Sequence, residues 1–150
     1  MVSMIDFHIE PMGRQYLDGV YAVESDSFSV PWSFCSFEEE LSNPLAIYMV
    51  ALANSEVVGF AGMHHVLDVG HITNIAVIKN HRRHGIGDAL VEKLTEIAKA
   101  KRMVGITLEV RMGNAAAMRL YAKHGFTPHG IRKNYYTDTK EDAVVMWKHF

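Results

Sequence analysis

The chain has 150 residues, 49% of them hydrophobic, enough to bury a core of its own in one domain. Its formal net charge of −2 gives no global positive field to draw it to nucleic acid or an anionic membrane, so any anion must be bound locally. The lone Cys35 excludes an internal disulfide framework and suits a reducing compartment.

No apolar run reaches the ~20 residues that span a bilayer. The opening MVSMIDFHIEP shows no basic segment followed by an apolar one, and a soluble cytoplasmic protein is the expectation. Cys35 reads as a small, buried or half-buried residue, since nothing local marks it as an activated nucleophile.

Ile5, Phe7 and Ile9 alternate with Asp6, His8 and Glu10, the period-two pattern of a strand with one buried face, ended by Pro11. From about Gly13 to Phe28, Leu17, Val20 and Tyr21 recur at helical spacing while Arg14, Asp18 and Glu24 suit the exterior. After the aromatic stretch broken by Pro31, Ser36 with Glu39 forms a capping-box pattern for a short second helix that Asn43-Pro44 stops. AIYMVALA (46–53) and EVVGFAGMHHV (56–66) flank Asn54-Ser55 as a tight hairpin. HITNIAVI (71–78) is nearly continuous in apolar residues, as a central strand covered on both faces requires.

Ile86, Leu90, Leu94 and Ile97 form the stripe of an amphipathic helix. VGITLEVR (104–111) is a further strand, and Asn114 is placed to cap a helix through His124 that Gly125 closes. FTPHGIRKNYY and EDAVVMWKHF make a final strand pair. The order predicts an α/β (α+β) mixed sheet of about seven strands with helices on both faces. The connection through 85–102 is long enough for a parallel crossover.

The stretch RRHGIGDAL (82–90) carries the first chemical signal. The opening turn of a helix leaves backbone N–H groups without intrahelical partners, and the helix dipole adds partial positive charge there. Gly85 and Gly87 let those groups approach a ligand, and Arg82 and Arg83 add cations. A phosphate or pyrophosphate is the matching ligand. The spacing fits neither a nucleoside-triphosphate loop nor a dinucleotide fingerprint.

The order of elements and this motif resemble the GNAT superfamily of acetyl-CoA-dependent N-acetyltransferases, whose phosphate signature Gln/Arg-x-x-Gly-x-Gly/Ala is matched by Arg82, Gly85 and Gly87. Three further stretches resemble its RimI-type ribosomal-protein-alanine group: NIAV (74–77), LEVRMGNAAAMRLYAKHGF (108–126) and RKNYYTDTKEDAVVM (132–146). Two stretches depart from that pattern. DVGH stands before the central strand where relatives often carry an acidic residue, and SVPWS matches only loosely.

The resemblance implies acetyl-CoA as cosubstrate, its pantetheine arm along Ile75, Ala76 and Val77 and its pyrophosphate over Arg82, Arg83, His84, Gly85, Ile86 and Gly87. It implies that the Val77 N–H stabilises the developing oxyanion. Glu109 becomes the general base, direct or through water, and Tyr121 the general acid for the CoA sulfur, with Asn114 beside the cofactor. Phe28, Trp32, Tyr135 and Tyr136 would hold the acceptor, the N-terminus of a protein and specifically the terminal alanine of a small-subunit ribosomal protein. His84 falls in the phosphate loop and His71 at a strand edge; no histidine has metal-ligand spacing, so no metal is expected.

An α-amine of pKa ~7.7–8.0 is roughly 10–20% neutral at pH 7, whereas a lysine of pKa ~10.4 is below ~0.1% neutral. One carboxylate with little tuning therefore serves an α-amine more readily than a lysine. A small-amine or lysine acetyltransferase, and a non-catalytic acetyl-CoA-binding domain, remain open at this point.

Overall fold

The structure is a computed structural model and describes residues 6–150. In chain order the elements are β1 (His8–Pro11), α1 (Leu17–Ser27), α2 (Phe34–Leu41), β2 (Ala46–Ala53), β3 (Glu56–Val66) and β4 (Val69–Val77). There follow α3 (Ile86–Ala100), β5 (Gly105–Arg111), α4 (Ala115–Lys123), β6 (Thr127–Tyr136) and β7 (Glu141–His149). The seven strands form one sheet in the order β1-β2-β3-β4-β5-β7-β6. Every neighbouring pair is antiparallel except β4–β5, which α3 joins by the expected crossover.

Each face of the sheet carries its own core. On one, Leu90, Val91, Leu94 and Ala98 of α3 and Tyr121 of α4 pack on Met49, Ala51, Ala61, Met63, Leu108 and Val110. On the other, Leu17, Val20 and Val23 of α1 and Phe37 of α2 pack on Tyr48, Val50, Leu52 and Phe60. Adjacent residues of β2 thus enter different cores, which is why 46–53 reads as a continuous apolar run. Each fully buried Leu or Phe contributes ~1.5–3 kcal/mol, so this packing, more than helix propensity, fixes α1 and α3 on the sheet.

The hairpin at Asn54-Ser55 is as expected, both residues having positive φ (51° and 67°), the conformation that matches strand twist. Several local readings are corrected. The strand expected from Ile5, Phe7 and Ile9 begins at His8, so Phe7 precedes it and Ile5 lies outside the described residues; Pro11 is the last strand residue, tolerated at a sheet edge. Helix α2 is capped by Ser33, whose Oγ accepts from Ser36 N–H at 3.1 Å, so its cap lies three residues before the predicted one and the helix ends at Leu41. Cys35 is exposed on α2, and the charge of Glu39 pushes its thiol pKa up, away from a nucleophile. On α1, Tyr21 faces outward and Glu24 is buried at 2% exposure, the reverse of the helical-wheel reading. Glu24 stands seven residues after Leu17 and four after Val20, on the core face.

Candidate active site

The site begins where two parallel strands part. β4 pairs with β5 only over Val69, Gly70 and His71, opposite Gly105, Ile106 and Thr107. Just beyond, Asn74 pairs with Gly62 and Ile72 with Met63, so Thr73 is an extra residue in β4. Such a bulge bends its strand and increases its twist. Ile78 N–H donates to Val58 O at 2.9 Å, and alternation turns the N–H and C=O of Ile75 and Val77 toward the open edge. An open strand edge therefore runs along residues 75–77.

A cleft of about 560 Å³ runs along that edge to the start of α3. Ile75, Ala76, Val77, Arg82, Arg83, Gly85, Ile86, Gly87, Asn114 and Tyr121 line it. Gly85 caps α3 with φ 81°, and a Cβ built on it meets nothing within 4 Å. Among the described residues no side chain caps the first N–H groups of this helix, which leaves them open to an anion.

The two arginines differ. Arg82 Nε donates to Val77 O at 2.9 Å and braces the loop, while Arg83, at φ 66°, is exposed. His84 is not part of the cleft wall: it sits between the left-handed turns at Arg83 and Gly85. Asp88, in the first turn, would oppose an anion, but His124 Nε2 at 2.8 Å and Lys123 Nζ at 3.1 Å pair with it.

A second cavity, of about 400 Å³, lies beyond the cleft and is lined by Glu109, Phe28, Trp32, Tyr135 and Tyr136, together with Glu24, Asn74, Arg111 and Asp138. Phe28, Ile75, Asn114, Ala117 and Tyr121 line both cavities, so Tyr121 stands at their junction. Asn114 Oδ1 accepts from Ala117 N–H at 3.0 Å, so it does cap α4, which presents Tyr121 two turns on.

Glu109 alternates with Leu108 and Val110, whose side chains enter the α3 core, and so opens on the opposite face. Its Oε2 lies 2.6 Å from His71 Nε2, and its Oε1 lies 3.6 Å from Arg132 Nε. The hydrogen bond from His71 holds its pKa below the ordinary carboxylate value, against burial, with the charges of His71 and Arg132 adding to the effect. Burial, with the nearby Tyr136, pushes the Tyr121 hydroxyl well above the ordinary phenol range, and its ring packs edge-on to Phe126 at 5.6 Å.

Tyr135 and Tyr136 end β6 rather than occupying the turn, which falls at 137–140. Their rings stand edge to face at 5.1 Å, and the Arg111 guanidinium lies 4.0 Å from the Tyr136 centroid. Arg111 also grips Asp138 with two nitrogens, at 3.1 and 3.0 Å, fixing the turn beside the cavity. Burial pushes Tyr136 up to about 12, against the Arg111 charge.

Sequence reasoning missed His71 as a partner of Glu109, and also Glu24 and Arg111. The first depends on strand pairing, which one sequence does not carry. The second was within reach of helical spacing, and the third sits inside the LEVR stretch already singled out.

The model of the acetyltransferase (GNAT) family matches residues 17–126. The chain belongs to the GNAT acetyltransferase family. Within that family a Bacillus subtilis protein is 41% identical over 140 residues, 93% of each chain. The [ribosomal protein bS18]-alanine N-acetyltransferase of Escherichia coli K12 is 36% identical over 132 residues, 87% of this chain and 88% of its own. The crystal structure of the ribosomal-protein-S18-alanine N-acetyltransferase from E. coli matches with a TM-score of 0.89 at 33% identity, covering 96% of this chain and 94% of that one. An acetyltransferase structure from Bacillus anthracis in complex with acetyl coenzyme A matches with a TM-score of 0.80 at 25% identity, covering 97% and 99%. The GNAT chain described here is thus an N-acetyltransferase with the seven-stranded mixed sheet of that fold.

Proposed function

We propose that the chain, as one GNAT domain over residues 1–150, transfers the acetyl group of acetyl-CoA to the N-terminal α-amine of a protein. The acceptor is the terminal alanine of ribosomal protein bS18, as named for the E. coli relative. The observation that carries this reading is the junction: an open strand edge with free helix N–H groups on one side, an aromatic cavity holding a carboxylate on the other, and Tyr121 lining both. The open space over Gly85 fits a phosphate group, and the edge at Ile75 and Val77 fits an extended arm that pairs with backbone. An acceptor of this kind implies a cytoplasmic reaction.

Acetyl-CoA supplies an activated acyl group, whose C–S bond breaks as the amine nitrogen forms the amide. Glu109 accepts the proton that the amine loses, and His71, 2.6 Å away, holds the carboxylate in place. The Val77 N–H, turned to the open edge, donates to the oxygen on which negative charge develops. Tyr121, protonated at neutral pH as any phenol of pKa ~10 is, donates to the departing sulfur. Phe28, Trp32, Tyr135 and Tyr136 hold the first residues of the acceptor, with Arg111 fixing the Tyr136 ring.

A conjugate of CoA with an alanine-terminated peptide tests whether the two cavities act as one site. Linked ligands that engage both should bind about 100-fold more tightly than CoA alone, by calorimetry. Equal affinity for the conjugate and for CoA would contradict the reading.

A further inference from the structure

Glu24 is a buried carboxyl that the proposed chemistry leaves idle. It is 2% exposed and has hydrogen-bond donors around it, but no ion pair among the described residues. A buried carboxyl without a cation lowers stability relative to an apolar residue of similar size, so its place on the core face of α1 is unexplained by packing. Its two oxygens reach different parts of the acceptor cavity. Oε2 accepts from the Trp32 backbone N–H at 2.9 Å, and Oε1 accepts from Asn74 Nδ2 at 3.4 Å.

Asn74 is itself fixed. Its Oδ1 lies 2.9 Å from Thr73 Oγ1 and 3.3 Å from the Tyr48 hydroxyl, so its amide is oriented with Nδ2 toward Glu24. Thr73 is the bulge residue that turns β4 away from β5. Glu24 therefore joins the strand that opens the cofactor slot to the segment carrying Phe28 and Trp32. That segment leaves α1 at Phe28, whose N–H donates to Glu24 O at 3.0 Å, and is next anchored by the Ser33 cap of α2. Between those points the Glu24 carboxylate holds Trp32.

We propose that Glu24 is a positioning residue for the acceptor: by tying the Trp32 backbone to Asn74, it sets the distance between the aromatic segment 28–32 and β4 that the peptide must fit. The inference rests on the reading above that this cavity takes the acceptor. Both partners of Glu24 are donors, and a backbone N–H cannot be reversed. Asn74 could turn its amide only by giving up Thr73 and Tyr48. A glutamine, with one acceptor and one donor, matches the shape and fails one of the two contacts.

Steady-state kinetics of Glu24→Gln, with an alanine-terminated peptide and acetyl-CoA varied separately, test this directly. The peptide KM is expected to rise about tenfold, with the acetyl-CoA KM within twofold of wild type and no fall in melting temperature. Asn74→Ala, which leaves the carboxylate in place, should raise the peptide KM in the same direction by about threefold. It serves as the second variant where Glu24→Gln does not fold. Unchanged peptide KM in both variants, equal rises in both KM values, or failure of both to fold would assign Glu24 to stability alone and overturn the inference. A wild-type protein that does not acetylate the peptide would instead overturn the reading on which the inference rests, and the inference with it.

Discussion

Glu109 Oε2 and His71 Nε2 stand 2.6 Å apart across the point where β4 and β5 separate, the carboxylate on β5 and the imidazole on the last paired residue of β4. The pair exists because the strands are parallel and in register there, and Glu109 reaches the 400 Å³ cavity because the strands then diverge. Replacing Glu109 by Gln keeps the shape and removes the proposed base. We expect kcat to fall by about 10²–10⁴ with acetyl-CoA affinity within twofold of wild type. Steady-state rates and calorimetry read the two quantities separately, and an unchanged kcat would remove Glu109 as the base.

The hydrogen bond from His71 also sets an acid-side stability dependence. Glu109 has a folded pKa below its unfolded value of about 4.3, so its contribution is present above that value and is lost as pH falls through the folded pKa. His71→Ala removes the main cause, and its melting temperature should fall less than that of wild type between pH 5 and pH 3. Parallel melting curves over that window would contradict the assigned cause.

Catalytic pH dependence near neutrality has a different origin. Because the His71 hydrogen bond holds Glu109 below the ordinary carboxylate range, the acid limb of kcat/KM is expected to follow the proposed acceptor α-amine, at about pH 7.7–8.0. A peptide whose α-amine has a lower pKa should move that limb to lower pH by the same amount. A limb that stays fixed when the peptide is changed would place it on the enzyme.

Tyr121→Phe leaves the contact with Phe126 and removes the hydroxyl at the junction. A kcat loss of about 10² is expected, with both KM values within threefold, because the proton is needed only as sulfur departs. A full rate for this variant would show that solvent protonates the leaving group.

Gly85→Glu separates folding from cofactor binding. A Cβ there has open space, and the φ of 81° costs only ~1–2 kcal/mol for a non-glycine residue, so the protein should remain folded. The carboxylate projects into the proposed phosphate site, and acetyl-CoA affinity should fall by about 100-fold, between the ~1 kcal/mol of a like-charge contact in water and the ~4 kcal/mol near a protein surface. Normal affinity by calorimetry would contradict the phosphate site.

Much of the fold was legible in the chain because its signals are local. The apolar runs 46–53 and 56–66, the turn at Asn54-Ser55 and the stripe Ile86, Leu90, Leu94 each depend on neighbours in sequence. The cap at Ser33 was misplaced by three residues because Ser33 and Ser36 offer the same hydroxyl, and only the extended backbone at Ser33 decides between them. The cavities gathered Glu109, Tyr121, Phe28, Trp32, Tyr135 and Tyr136 from four separate stretches, an assembly that family resemblance implied and composition did not. His71 escaped because its value comes from Thr107 lying beside it, which puts Glu109 within reach. Glu24 escaped because a carboxylate was assigned to the surface by residue type, although its spacing from Leu17 and Val20 placed it inside.

The central claim is that this protein acetylates an α-amine, and intact-mass measurement tests it most directly. The protein is incubated with acetyl-CoA and two peptides, one with a free N-terminal alanine and no lysine, the other N-terminally blocked with an internal lysine. A gain of one acetyl group on the first peptide alone is the predicted result. A gain on the second alone, or on neither, would contradict the account.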